Sequence, residues 1–301
     1  MKISFKIVFL TIILCLLTFI YGDVENYGDY SKLIFDGGDK NNSKLSMNGN
    51  SEFTTAFWIK PTGSQTTNYD IILNKETTYE IALTKDNKLK YAISIDKDGD
   101  GKSDSWAWIT TNVQLDTNEY QHIALTYDNG EVKIYKNGEL VYDEKNPKFD
   151  YIWHGNTRLP DGSLVTCSNQ YNNSPLYIAN RPWRGYWGSN IIVSGVGIFN
   201  RSLTEDEIKK LYNGEMTLDE LKKSGCIFFA PLINDTKDII NGINGKLQGS
   251  TIQLHTGEAP KNLKKMMESL YKNNNTKAPI PKAVFLISLF LISTIPLWFR
   301  K

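Results

Sequence analysis

Cysteine and histidine are scarce in this chain of 301 residues, with three of each. Cys15 lies inside an apolar N-terminal run, which leaves Cys167 and Cys226. Two cysteines so far apart exclude a zinc knuckle. His122, His154 and His255 stand in no metal-ligand spacing such as H-x-x-x-H. The chain has no G-x-S-x-G elbow and no phosphate-cradling glycine loop, so serine-hydrolase and P-loop chemistry have no foothold. An excess of one charge is also missing. The formal net charge is +1, which gives no electrostatic attraction to nucleic acid.

What is present is a regular β pattern. In Gln121–Tyr142 (QHIALTYDNGEVKIYKNGELVY), apolar residues alternate with polar ones: Ile123, Leu125 and Tyr127, then Val132, Ile134 and Tyr135, then Leu140 and Tyr142. A period of two predicts strands with one face in a core. Asn129-Gly130 and Asn137-Gly138 break the runs, and Asn-Gly favours the type I′ turn whose twist suits a hairpin. The segment is expected to be a three-stranded antiparallel meander.

This meander resembles the second half of a laminin-G-like domain of the concanavalin A-like jelly-roll superfamily. Other pieces are similar to that family in the same order. Leu33–Asp39 (LIFDGGD) resembles the opening strand, and Phe53–Pro61 (FTTAFWIKP) the next inner strand. Ile72–Leu83 and Leu89–Ile95 resemble a following hairpin. Leu176–Asn180 (LYIAN), Val193–Asn200 (VSGVGIFN) and Leu203–Gly214 (LTEDEIKKLYNG) resemble the closing strands and helix. The resemblance implies an all-β, antiparallel β-sandwich (jelly roll) whose fold hosts lectins, adhesion modules and enzymes alike. Its expected core holds Phe35, Phe57, Trp58, Ile72, Ile81, Leu83, Ile123, Leu125, Ile134, Ile178, Ile198 and Phe229. Cys226–Gly245 (CIFFAPLINDTKDIINGING) resembles the strand and loop that usually open the family, displaced to follow the closing helix. Either it fills the first-strand slot from the C-terminal side or it is the stub of a second repeat. A stub would expose Ile227–Phe229 and Leu232, which burial disfavours.

Both ends are strongly apolar. Met1–Gly22 carries Lys2 and Lys6, then Ile7–Ile20, then small Gly22 before Asp23, a secretory signal layout that competes with an uncleaved anchor. Ile280–Phe299 is long enough to span a bilayer and ends in Arg300-Lys301. The competing reading is a removed lipid-anchor signal. Residues 23–257 are then the sandwich domain, 258–279 a Lys- and Asn-rich stalk, 280–299 a single transmembrane helix and 300–301 a cytoplasmic tail. Within the stalk, Lys261–Lys272 can form a helix with Leu263, Met266, Met267 and Leu270 on one face. The domain would stand outside the cell, where Cys167 and Cys226 either pair or remain thiols. Asn41, Asn200, Asn234 and Asn274 begin usable glycosylation sequons; in Asn172-Asn-Ser, Pro175 follows directly.

Two segments could carry chemistry. In DKDGDGKSD, Asp96, Asp98 and Asp100 alternate, Gly101 follows, and Asp104 comes four residues after Asp100. Converging carboxylates suit calcium, a hard cation that takes oxygen ligands. Ala107 stands where an EF-hand carries its bidentate Glu, so a calcium-stapled hairpin loop is expected, set against a plain acidic turn. The laminin-G resemblance implies another calcium site near Asp36 and Asp39, but Ser194 and Gly195 replace the acidic pair usual there. In RPWRGYWG, Arg181, Trp183, Arg184, Tyr186 and Trp187 offer rings for the C–H faces of sugars and guanidinium groups for hydroxyls or carboxylates. Packing of that loop onto the sandwich is the competing role. Trp153 and His154, in the long connection Asp143–Ser174, would extend the same surface.

Jelly-roll glycosidases present paired carboxylates as E-x-D-x-E, which does not occur here. Glu205-Asp206-Glu207 instead opens a helix, with Thr204 and Glu207 as a capping box. The expectation is a membrane-tethered extracellular module, not an enzyme, that binds carbohydrate or an extracellular protein and uses calcium. A structural adhesion unit without a ligand, or a glycosidase or lyase of the same superfamily, are the alternatives.

Overall fold

The computed structural model describes residues 24–27, 32–46, 52–76, 78–94, 108–145, 156–158, 164–166, 173–182, 189–233, 235–249, 253–254 and 259–273. In chain order the strands begin with β1 (Val24–Tyr27), β2 (Lys32–Phe35), β3 (Glu52–Pro61), β4 (Asp70–Lys75), β5 (Tyr79–Leu83) and β6 (Lys88–Ile93). They continue with β7 (Trp108–Gln114), β8 (Gln121–Asp128), β9 (Glu131–Lys136), β10 (Glu139–Lys145), β11 (Asn156–Arg158) and β12 (Leu164–Thr166). The last are β13 (Leu176–Ile178), β14 (Asn190–Phe199), β15 (Cys226–Ala230), β16 (Lys246–Gln248) and β17 (Gln253–Leu254). The helices are α1 (Asp39–Lys44), α2 (Glu205–Tyr212), α3 (Leu218–Lys223) and α4 (Lys261–Asn273).

Among the described residues the strands form two large antiparallel sheets. The first runs β10–β9–β8–β3–β14–β1–β17, with β15 also on β14; the second runs β16–β2–β13–β4–β5–β6–β7. Strands β11 and β12 make a separate pair. The inner faces meet in one core. Phe53 on β3 stacks against Tyr79 on β5 with centroids 5.3 Å apart, and Phe35 on β2 meets Phe228 on β15 edge-on at 4.8 Å. Each such buried ring is worth roughly 1.5–3 kcal/mol of transfer free energy.

The meander matches its sequence. Positive φ at Asn129 (46°), Gly130 (95°), Asn137 (55°) and Gly138 (84°) gives two type I′-like turns. One detail differs. A register shift between Leu140 and Tyr142 turns the end of the meander, so Leu140 is 43% exposed while Tyr142 packs against the core. This is an edge strand, and Asp143, Glu144 and Lys145 close it with charge, which discourages pairing with another chain.

Strand β3 is apolar on both faces because both are covered. Phe57 enters the inner core, while its neighbour Trp58 points the other way into a second buried layer with Ile208, Leu211, Leu221, Leu263 and Met266. Trp58 and Phe229, expected between the sheets, therefore belong to this outer layer. Helix α2 carries the expected capping box between Thr204 and Glu207.

Helix α4 forms where the apolar spacing places it, but it is not a free stalk element. Leu263, Met266, Met267 and Leu270 are all buried in the outer layer. The helix approaches closely at Gly214, whose φ is +65° and where an added Cβ would lie 1.9 Å from the Asn262 carbonyl oxygen.

The segment after α3 is built into both sheets rather than left as a stub. Strand β15 pairs with β14 and β16 with β2. Phe228, Phe229 and Leu232 are buried. Asp238, fully buried, accepts hydrogen bonds from the N–H groups of Phe229 (3.0 Å), Ile240 (2.9 Å) and Asn241 (3.1 Å), which shapes the connecting loop. Strand β1, which sequence reasoning did not anticipate, lies in line with β15 along the same edge of β14.

Candidate functional site

The outer face of the second sheet carries a polar row. In ladder order it is Trp108 on β7, Ala92 on β6, Glu80 on β5, Asn74 on β4, Tyr177 on β13, Ile34 on β2 and Lys246 on β16. Alternation fixes the direction. Tyr79, Ile81, Leu83, Leu89, Tyr91 and Ile93 enter the inner core, so Glu80, Ala82, Lys90 and Ala92 project away from it.

Glu80 sits between Ala92 and Asn74 in this row and is 1% exposed at its side chain. Arg181 meets it with both arms of its guanidinium: Nε donates to Oε2 at 2.8 Å, and Nη2 donates to Oε1. The Lys32 ammonium donates to the carbonyls of Arg181 (2.7 Å) and Pro182 (2.9 Å). At the other end of the same segment, the Ser189 hydroxyl donates to the Ile71 carbonyl, and the Asn190 N–H donates to Gln65 Oε1 at 2.8 Å. Both ends of segment 183–188 are thus fastened to the second sheet and the adjoining Gln65 loop. Trp183, Arg184, Tyr186 and Trp187 themselves lie outside the described residues. Sequence reasoning gave the Arg181 guanidinium to a ligand; the structure gives it a carboxylate of its own chain, which makes it an anchor.

The charges here are strongly perturbed. Burial, reinforced by the negative charge of Glu80, raises the Glu76 carboxyl to about 7, against the opposing pull of Arg181 and the Asn74 amide. Burial lowers Lys32 to about 8. Burial also pushes Lys75 well below the ordinary lysine value, and its ammonium donates to the Ser174 carbonyl at 2.6 Å.

Towards β6 and β7 the face becomes partly accessible. Tyr69 and Trp108 are half-buried and meet edge to face, with centroids 5.5 Å apart and planes at 73°. The Lys90 ammonium lies over both rings. Asp70 holds the turn that presents Tyr69: its carboxylate accepts from the N–H groups of Thr66 (2.5 Å) and Thr67 (2.9 Å) and from both hydroxyls. Sequence reasoning missed this corner. No spacing links Tyr69, Lys90 and Trp108; only the β4–β5–β6–β7 order brings them together.

Asp96, Asp98, Asp100 and Asp104 lie outside the described residues, on the connection between β6 and β7. Asp36 accepts at Oδ1 from the Gly38 N–H (3.1 Å) and the Asn42 amide (2.8 Å), and Asp39 opens α1. Cys226 is a free, buried thiol that donates to the Phe228 carbonyl at 3.2 Å; burial raises its pKa, and Cys167 lies outside the described residues. Of the sequon residues, Asn200 is exposed and Asn41 is half-buried in α1, where its amide donates to the Gly37 carbonyl; Asn234 and Asn274 lie outside the described residues. His122 is fully buried beside Trp58 (5.2 Å) and Tyr212 (6.0 Å), and burial lowers its pKa to about 3, so it is a neutral packing residue. Among the described residues no helix is long and apolar enough to cross a membrane; the runs Ile7–Ile20 and Ile280–Phe299 lie outside them.

A comparison with curated proteins finds no match. Among solved structures, the chain is similar to a protein of Bacteroides ovatus proposed to bind carbohydrate, with 19% identity and a TM-score of 0.48, over 80% of this chain and 62% of that one. It is also similar to domain 4 of an extracellular arabinanase from Geobacillus stearothermophilus, solved with arabinotriose, at 17% identity and a TM-score of 0.34, over 54% of this chain and 66% of that one. A heptameric pentraxin from Limulus polyphemus matches at 10% identity and a TM-score of 0.42, over 79% of this chain and 95% of that one. A family model matches residues 36–209, more than half of the chain, and by that match the protein belongs to the concanavalin A-like lectin/glucanases superfamily.

Proposed function

We propose that the protein is an extracellular, membrane-tethered binding module that holds carbohydrate, or a protein partner bearing it, on the outer face of its second sheet without turnover. The fastening of segment 183–188 carries this reading. Glu80, Lys32 and Ser189 anchor its two flanking ends on that face, which brings the segment bearing Trp183, Tyr186 and Trp187 onto the second sheet. Fixing the ends of a binding segment lowers the ordering cost of engaging a ligand. Calcium in the Asp96–Asp104 loop would stiffen the connection from β6 to β7 at the edge of the same face. The apolar run Ile280–Phe299 would tether the module. A glycan array probed with the detergent-solubilised full chain tests the reading. Specific binding that falls at least tenfold in Trp187→Ala is expected, and an array without any binder removes it.

A glycosidase is the second reading, favoured by one observation. Burial and the negative charge of Glu80 raise the Glu76 carboxyl to about 7, and Glu80 lies opposite Arg181. A divided pair of this kind suits a general acid beside an ionised carboxylate. Against it, both carboxylates are buried, and Glu80 is engaged on both oxygens by Arg181. Release of reducing sugar from a polysaccharide panel, lost in Glu76→Gln, would establish turnover.

A further inference from the structure

Lys90 carries a charge that nothing in the described structure neutralises. Its side chain stands on the outer face of β6, and the residue is 6% exposed. Its Nζ lies 3.6 Å from the centroid of the Tyr69 ring and 5.7 Å from that of Trp108. The neighbouring described acids are committed elsewhere. Asp70 uses both oxygens on Thr66 and Thr67. Glu80 is taken by Arg181, Glu76 accepts from the Asn74 amide, and Asp86 pairs with Lys88 and Thr84. Among the described residues no carboxylate or carbonyl accepts a hydrogen bond from the Lys90 ammonium. Cation–π contact offsets only part of the cost of withdrawing an ammonium from water with its donors unused.

The surroundings define what would complete it. Tyr69 and Trp108, the rings in contact with the ammonium, are half-buried. Thr110, the ladder partner of Lys90, is exposed and supplies a hydroxyl at the same edge. An aromatic wall, an unused ammonium and a nearby hydroxyl together fit a sugar ring that carries an acidic group.

We infer that Tyr69, Lys90 and Trp108 form a subsite for an acidic sugar residue, whose C–H face stacks on the rings and whose carboxylate accepts from the Lys90 ammonium. This rests on the reading of the second sheet's outer face as a carbohydrate surface, and it narrows the ligand to uronic-acid-containing glycans. The Trp183–Trp187 segment is not needed for the selectivity, which resides in Lys90.

The test measures binding of the detergent-solubilised full chain to polygalacturonate and hyaluronan fragments, to their neutral carboxyl-reduced counterparts, and to a sulfated glycan without uronic acid. At least one uronate is expected to bind tenfold or more tightly than its reduced form. Lys90→Met should erase that ratio while Lys90→Arg preserves it, with both variants melting at the wild-type temperature. If Lys90→Met does not fold, the wild-type ratio and the Lys90→Arg and Trp108→Leu variants decide. Equal affinity for acidic and reduced forms overturns the inference, as does an acid preference unchanged by Lys90→Met. A preference for the sulfated glycan over every uronate overturns the assignment to carboxylate. Binding of neutral glycans that is lost in Trp187→Ala leaves the carbohydrate reading standing and this subsite refuted. Failure to bind any glycan refutes both.

Discussion

Arg181 reaches across 101 residues of sequence to place its guanidinium on Glu80, the second residue of β5. The pair is buried on the Glu80 side and nearly so on the Arg181 side, with side-chain exposures of 1% and 15%. Removing one partner strands the other, which typically costs about 3–5 kcal/mol. Arg181→Leu should therefore lower stability on that scale in chemical denaturation. The double variant Arg181→Leu/Glu80→Gln should recover part of the loss, because no isolated charge remains. Equal losses in the single and double variants would show that the pair is not coupled.

Two buried groups bend the pH profile in opposite directions. His122 is depressed to about 3 in the fold, so the unfolded chain takes up its proton first, and stability falls as pH drops from about 6.5 towards 3. Glu76 is raised to about 7, so the unfolded chain loses its proton first, and stability falls as pH rises from about 4.5 to 7. Each contributes a slope of up to roughly 1.4 kcal/mol per pH unit within its window. His122→Phe should flatten the acid limb and Glu76→Gln the limb above pH 4.5, both read from denaturation midpoints across pH. Profiles parallel to wild type would contradict the two assignments.

Helix α4 belongs to the domain, so damage to its seat should register as lost stability. Leu263→Ala should cost about 2–5 kcal/mol, as buried Leu truncations do. Gly214→Ala should be harmful through both its positive φ and its contact with Asn262. A melting temperature insensitive to both changes would mean that the helix does not dock.

Calcium is expected to raise the melting temperature of the wild-type chain, with the gain lost in Asp98→Asn/Asp100→Asn. A calorimetric titration showing no uptake at millimolar calcium would discard the site.

Much of the architecture was legible because local chemistry and global fold agree. Alternation in Gln121–Tyr142, two Asn-Gly turns and the Thr204–Glu207 box each name their own structure. The second buried layer was harder to read. Phe57 and Trp58 are adjacent and both apolar, and a pattern of period two cannot say that a strand is covered on both sides. The apolar stripe of α4 gave its helix but not its seat, since docking on Trp58 and Gly195 is a tertiary fact. At the candidate site, Arg181 was visible as a cation, but its partner Glu80 was not, because no sequence rule pairs β5 with a segment 101 residues later. Tyr69, Lys90 and Trp108 were invisible for the same reason.

Ligand is expected to meet the outer face of the second sheet. Indole 15N labelling of the seven tryptophans offers the most direct measurement. Trp58, buried in the opposite layer under α4, serves as the internal control. On titration with a glycan that binds, the Trp108 signal and at least one of Trp183 and Trp187 should shift while Trp58 stays fixed. A shift at Trp58 with Trp108, Trp183 and Trp187 unmoved would place the ligand elsewhere and contradict the account.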